Sequence, residues 1–219
     1  AVSTLGFKAG TDVTNSSGDI TITDDSFSLT TGKGLQVNTS GKVTIQSFSD
    51  SFAGALTYPI NDLTLSSNVS GLTIGKSTNT ATITLGAATS IAGPITVYGG
   101  NINVNQNLNT STAATASAVM LKGRGNISLA SGKSITTTGG DVTFWADSDG
   151  SGAGYAQMLT NSSVTTGGGA ITLGGRMSAE LASRHQYLRR NLVGAHKPKA
   201  QALDTTQQVL RLHLETVES

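Results

Sequence analysis

A chain of 219 residues with 37% hydrophobic, 12% charged and 5% aromatic residues, 27 glycines and no cysteine is too apolar for disorder. It is also too poor in Glu, Lys and Leu for a helical bundle. A formal net charge of +1, with no basic stripe or charge run before residue 176, argues against nucleic-acid and membrane-surface roles; no run approaches the ~20 apolar residues of a membrane span, and no thiol chemistry is possible.

In chain order, one short word recurs: small residue, variable residue, apolar, Thr, apolar. It reads GDITI (18–22), GKVTI (41–45), GLTI (71–74), ATITL (81–85), GPITV (93–97), GDVTF (140–144) and GAITL (169–173). GNINV (100–104) and GNISL (125–129) are the same word with Asn or Ser at the centre. Each predicts a period-two strand whose two apolar residues face one way and whose polar residue faces the other. The glycine that opens each word except ATITL supplies a turn that a β-carbon would obstruct.

Longer similarity overlies these words. SITTTGGDVTF (134–144) and SVTTGGGAITL (163–173) align without a gap at an offset of 29, with six of eleven positions identical. Strands this short cannot bury an apolar side alone, and stacking one upon the next gives a continuous core. Asn-Gly and Asp-Gly hairpin signals are almost absent, Asp149-Gly150 being the one case. Parallel, in-register coils about 4.8 Å apart are therefore expected. The predicted fold is all-β, a right-handed parallel β-helix over 1–175, with SITT, DVTFWA and YAQML as three strands on three sides of one coil.

Composition changes near residue 175. All three Glu, all three His and seven of the fourteen cations lie beyond it, and Gly194 is the single glycine there. Residues 179–192 predict a helix, with Ser178 as N-cap and Pro198 beyond the end. Leu203, Leu210, Leu214 and Val217 form a second helical stripe. The helical or irregular tail 176–219 reads first as a cap on the last coil, ahead of a linker or an out-of-frame segment.

The stretch most like chemistry is GGDVTFWADSDGSGAGY (139–155). Its D-x-D-G suggests a calcium loop, but calcium takes about six to eight oxygens, and short polar residues with Gly are what a turn needs anyway. The expectation is a plain turn. Trp145 should point outward, opposite Val142 and Phe144. There it either stacks on a sugar ring or, as expected here, covers the neighbouring coil or the 147–154 turn.

The acid pairs Asp24/Asp25 and Asp147/Asp149 are the candidates for a glycosidase, and adjacent strand positions facing opposite ways count against the first. A lyase would look to Lys122 and Arg124, for which a solvated turn is the simpler reading. His185, His196 and His213 lack ligand-like spacing. No catalytic, metal-binding or cofactor-binding residue is assigned. Sequons at Asn15, Asn38, Asn68, Asn109, Asn126 and Asn161 fit a surface protein, although such a composition produces them by chance. Outward Thr rows suggest ice binding, but the irregular intervals between words disfavour it.

GGDVTFWADSDGSGAGY followed by SSVTTGGGAITLGG resembles the repeat regions of filamentous-haemagglutinin-type bacterial exoproteins, over about residues 12–175. The resemblance implies a long right-handed β-helical shaft, secreted or held at the bacterial surface. It also implies adhesion to host-cell or surface glycans or proteins, an outer-membrane transporter as export partner, and no membrane insertion. Ala1 is followed by no signal peptide, and the abrupt start and stop of the pattern reads as a fragment. The expected function is a non-catalytic adhesive shaft; the alternative is a carbohydrate-active β-helix enzyme, because lyases and hydrolases also use this fold.

Overall fold

The computed structural model describes residues 4–5, 12–14, 17–27, 36–60, 63–152 and 154–175. They form an all-strand parallel β-solenoid of about six turns, and no helix occurs among them. The predicted helix 179–192, the stripe from Leu203 to Val217 and the three histidines lie outside the described residues.

Each coil visits three faces in the same order. The first carries seven parallel strands: Ile20–Thr23, Lys42–Gln46, Gly71–Ile74, Ile95–Gly99, Val119–Gly123, Val142–Trp145 and Ile171–Gly174. The second carries Leu56–Tyr58, Ile83–Leu85, Ile102–Val104, Ile127–Leu129 and Ala156–Met158, preceded by the pair Thr4–Leu5 and Ser26–Phe27. The third has Asp12–Thr14, Gln36–Asn38 and Thr64–Leu65, and then a separate group of Thr89–Ser90, Leu108–Asn109, Ser134–Thr136 and Ser163–Thr165. The strands expected in SITT, DVTFWA and YAQML fall on the third, first and second faces respectively.

Register turns alternation into columns. Ile20, Val43, Leu72, Ile95, Val119, Val142 and Ile171 stack as one apolar column of the first face. Ile22, Ile45, Ile74, Val97, Leu121, Phe144 and Leu173 stack as a second. Between them the outer column reads Thr21, Thr44, Thr73, Thr96, Met120, Thr143, Thr172. Most of the inner side chains are fully buried, and they join the second-face residues in one continuous core. At the last described level Met158, Leu159 and Ile171 remain exposed, because no further strand covers them among the described residues.

The residues flanking the words have stacking roles of their own. The acidic or amide side chain after Gly reaches the next coil: Asp19 Oδ1 accepts from Lys42 N at 2.8 Å, Asn101 Oδ1 from Asn126 N at 2.8 Å, and Asp141 Oδ1 from Ala170 N at 2.7 Å. These bonds satisfy amides that would otherwise be orphaned as each strand begins. At the corner leading back to the first face, Thr110, Thr137 and Thr166 are buried, and each donates its hydroxyl to a carbonyl, of Ser117, Gly140 and Gly169. That accounts for the repeated TTGG.

Glycine at the same corner is required by the close approach of successive coils. A β-carbon on Gly93 would sit 1.8 Å from the Ser70 carbonyl oxygen, and one on Gly140 would sit 2.2 Å from that of Ser117. Since the obstacle is backbone held in a ladder, Gly93→Ala should lower the unfolding free energy by about 3 kcal/mol, the upper end of an overpacking cost. Urea denaturation checks this, and a loss under about 0.5 kcal/mol, typical of an inert surface change, would refute it.

Candidate functional site

Inward placement of Val142 and Phe144 forces Trp145 outward, and the residue is 47% exposed. One coil earlier, Lys122 pairs in register with Trp145 and holds its ammonium 4.1 Å from the ring centroid. A contact of this kind at an exposed site contributes about 0.5–1 kcal/mol. One coil before that, Tyr98 pairs with Lys122. Tyr98, Lys122 and Trp145 thus form one outward column, with Thr96, Met120 and Thr143 two residues upstream on the same face. Trp145 does meet the neighbouring coil, as expected, yet nearly half of it stays open. Lys122 is a strand residue; the solvated turn read for it is corrected by its register with Tyr98 and Trp145.

Beside this column runs a ridge built from the loops between the first and second faces. Lys76 Nζ donates to the carbonyls of Phe48 and Ser49 at 2.9 and 3.0 Å, and Thr78 Oγ1 donates to that of Asp50 at 2.6 Å. Arg124 continues the ridge. Its Nη1 donates to the Thr78 carbonyl at 3.3 Å and its Nε to Asp149 Oδ2 at 3.1 Å. The turn residue Arg124 is therefore a tie between two loops 46 residues or fewer from it in sequence, which no local signal could show.

The stretch 147–152 is a turn closed on its own carboxylates. Asp147, at φ 51°, accepts from Gly152 N at 2.8 Å and from the Ser151 hydroxyl at 3.2 Å. Asp149 accepts from Ser151 N at 3.2 Å; that amide, followed by Arg124, holds its carboxyl below the usual range. The lone Asp-Gly pair lies in this inter-face turn rather than in a hairpin. Among the described residues no three metal-ligating side chains gather.

Asp24 and Asp25 sit differently from the sequence reading. They occupy the corner between Ile20–Thr23 and Ser26–Phe27, not adjacent strand positions, and both are buried. Asp25 accepts from Ser49 N and from the Ser49 hydroxyl, each at 2.7 Å, and these bonds lower its pKa. Asp24 Oδ1 accepts from Ser26 N at 3.3 Å. The pair fastens one corner loop to the next. Of the sequon asparagines, Asn126 spends its side chain on Tyr155 N at 3.1 Å, Asn68 and Asn161 are exposed, and Asn15 lies outside the described residues.

A cleft of about 320 Å³ opens where the third-face ladder stops at Thr64–Leu65 and resumes at Thr89–Ser90. Leu63, Leu65, Pro59 and Ile91 give it apolar wall, with Tyr58 and Thr89 supplying hydroxyls. Burial pushes the Tyr58 phenol up to about 12 from its ordinary 10.0, partly offset by its hydrogen bond with Thr89. A raised acid pKa gives stability that is intact below pH 10 and lost as pH climbs toward 12. Over that window wild type should lose about 3 kcal/mol relative to Tyr58→Phe. Guanidinium melts of both proteins at a series of alkaline pH values test it; parallel curves would refute it.

Comparisons with protein-family models, with curated proteins and with solved structures find no match.

Proposed function

We propose that the chain is a non-catalytic shaft segment of a secreted or surface-held bacterial adhesin of the filamentous-haemagglutinin type, exported through an outer-membrane transporter and touching glycans with its exterior. The observation that carries the reading is the unbroken in-register stack of the first face. Seven strands at about 4.8 Å spacing make a stiff rod about 29 Å long on that face alone. Its central outer column repeats one chemistry, a threonine hydroxyl per coil interrupted at Met120. A spacer needs that uniformity, whereas an enzyme needs one singular place.

The acid pairs support the same side. Asp24, Asp147 and Asp149 accept hydrogen bonds within their own turns and Asp25 accepts from Ser49 of the next coil, so each carboxylate is engaged in holding a loop. Glycoside cleavage needs two such groups about 5–10 Å apart and facing a substrate.

The test uses the full chain on immobilised polysaccharides and host-cell glycans, reading retained protein and released sugar in the same wells. Retention without release is expected. Released sugar would overturn the non-catalytic reading, and neither retention nor release would overturn the adhesive one.

A further inference from the structure

We propose that the column Tyr98, Lys122 and Trp145 is a binding strip for an extended, β-1,4-linked polysaccharide bearing carboxylates, lying along the solenoid axis. The inference rests on the adhesive reading above and names the class of ligand.

Spacing is the first argument. The two aromatic residues occupy the same register position two coils apart. Coils repeat at about 4.8 Å, so the rings recur at about 9.6 Å along the axis. An extended β-1,4-linked chain turns over at each sugar and presents the same face again after two, at nearly that repeat. Such a chain, laid along the axis, places like faces over Tyr98 and Trp145. A kinked or helical chain leaves one ring or the other.

Chemistry at each level is the second argument. The Lys122 ammonium covers one face of the Trp145 ring and the residue remains 47% exposed, which leaves apolar surface for the C–H face of a sugar on the side away from Lys122. Two residues before each ring, on the same side of the sheet, stands a threonine, Thr96 beside Tyr98 and Thr143 beside Trp145. Their hydroxyls donate to ring oxygens, and donate to or accept from hydroxyls, of the sugar stacked alongside.

Charge is the third. The middle level carries Lys122, and among the described residues it has no carboxylate within ion-pair distance, unlike Arg124, which is committed to Asp149. Its ammonium rests on the Trp145 ring but has no carboxylate partner among the described residues, and the carboxylate of the intervening sugar pairs with it there. Neutral chains gain only the two stacked levels.

The experiment measures binding of the full chain to three soluble oligosaccharides of matched length: a β-1,4-linked oligouronate, a neutral β-1,4-linked glucan and an α-1,4-linked oligouronate. The expected order places the first tightest. Trp145→Ala should weaken it roughly tenfold or more, as for a buried aromatic anchor. Tyr98→Ala should weaken it too, while Lys122→Gln should abolish the preference for the acidic over the neutral extended chain and flatten the salt dependence. Thermal melts of each variant establish that the fold is retained, and the Lys122→Gln selectivity ratio stands even if an aromatic variant folds poorly. Equal binding of the α-linked oligouronate, or binding indifferent to all three substitutions, would overturn the strip while leaving an adhesive shaft intact. Absence of binding here together with retention on other glycans would do the same. Absence of retention on every glycan would overturn the adhesive reading and the strip with it.

Discussion

Asn79→Ala should lower the unfolding free energy by about 3 kcal/mol, although Asn79 lies in a loop and contributes no apolar side chain to the core. The side chain is 1% exposed and joins three successive coils. Its Oδ1 accepts from the Ser51 hydroxyl at 2.8 Å, from Phe52 N at 3.3 Å and from Ala81 N at 3.2 Å. Its Nδ2 donates to the Tyr98 carbonyl at 2.9 Å. Alanine leaves the Phe52 amide and the Tyr98 carbonyl without these partners in a place that water reaches poorly, and each such group costs about 1–3 kcal/mol.

A solenoid is stabilised by contacts between nearest neighbours, so the position of a lesion along the axis matters as much as its size. Asn79 sits at the third of the seven first-face levels, between the coils that begin with Lys42–Gln46 and Ile95–Gly99. Its loss should uncouple the two halves. Hydrogen exchange through a denaturant series reads this: amides of 42–58 should become exchange-labile at lower denaturant than those of 95–129. A single shared transition at unchanged midpoint would refute the coupling role.

Phe144→Ala should cost about 3–5 kcal/mol, the usual range for removing a buried phenylalanine. Phe144 is fully buried, the largest side chain of its column, with Leu121 below and Leu173 above. Here the damage falls near one end of the stack. Leu173 is only partly buried in the wild type, so it has little beyond Phe144 to hold it. Exchange should quicken in Ile171–Gly174, Ala156–Met158 and Ser163–Thr165, while Lys42–Gln46 keeps its protection. Uniform loss across all coils would show cooperativity longer in range than nearest-neighbour stacking.

Much of this architecture is legible in the sequence because its signal is local. In GKVTI or GDVTF, alternation over a few residues decides which side chains go inward, and the glycine ahead marks where a β-carbon would collide. Parallel stacking also follows, since one word recurring in one direction leaves no place for hairpins. Trp145 facing out is a matter of counting from Val142 and Phe144.

What escaped is non-local. GDVTF and GNISL look like variants of one word, yet they lie on different faces, because corner loops as short as 100–101 or as long as 146–155 separate first-face from second-face strands. The coil repeat accordingly alternates among 23, 24 and 29 residues, as the pairs Val119 with Val142, Ile95 with Val119, and Val142 with Ile171 show. Two-residue strands such as Thr89–Ser90 and Leu108–Asn109 are too short to carry a period at all. Lys122 and Arg124 read as one basic turn, but the first belongs to the outer column and the second to the loop ridge.

By itself the sequence determined that this chain is a stack of short parallel strands around an apolar centre, since periodicity, glycine placement and apolar content are properties of neighbouring residues. Only the tertiary structure decided which residues share a level. That depends on the length of each intervening loop, and it alone brings Tyr98, Lys122 and Trp145 into one column, joins Arg124 to Asp149, and buries Asn79 among three coils whose contacts are set by stacking rather than by sequence proximity.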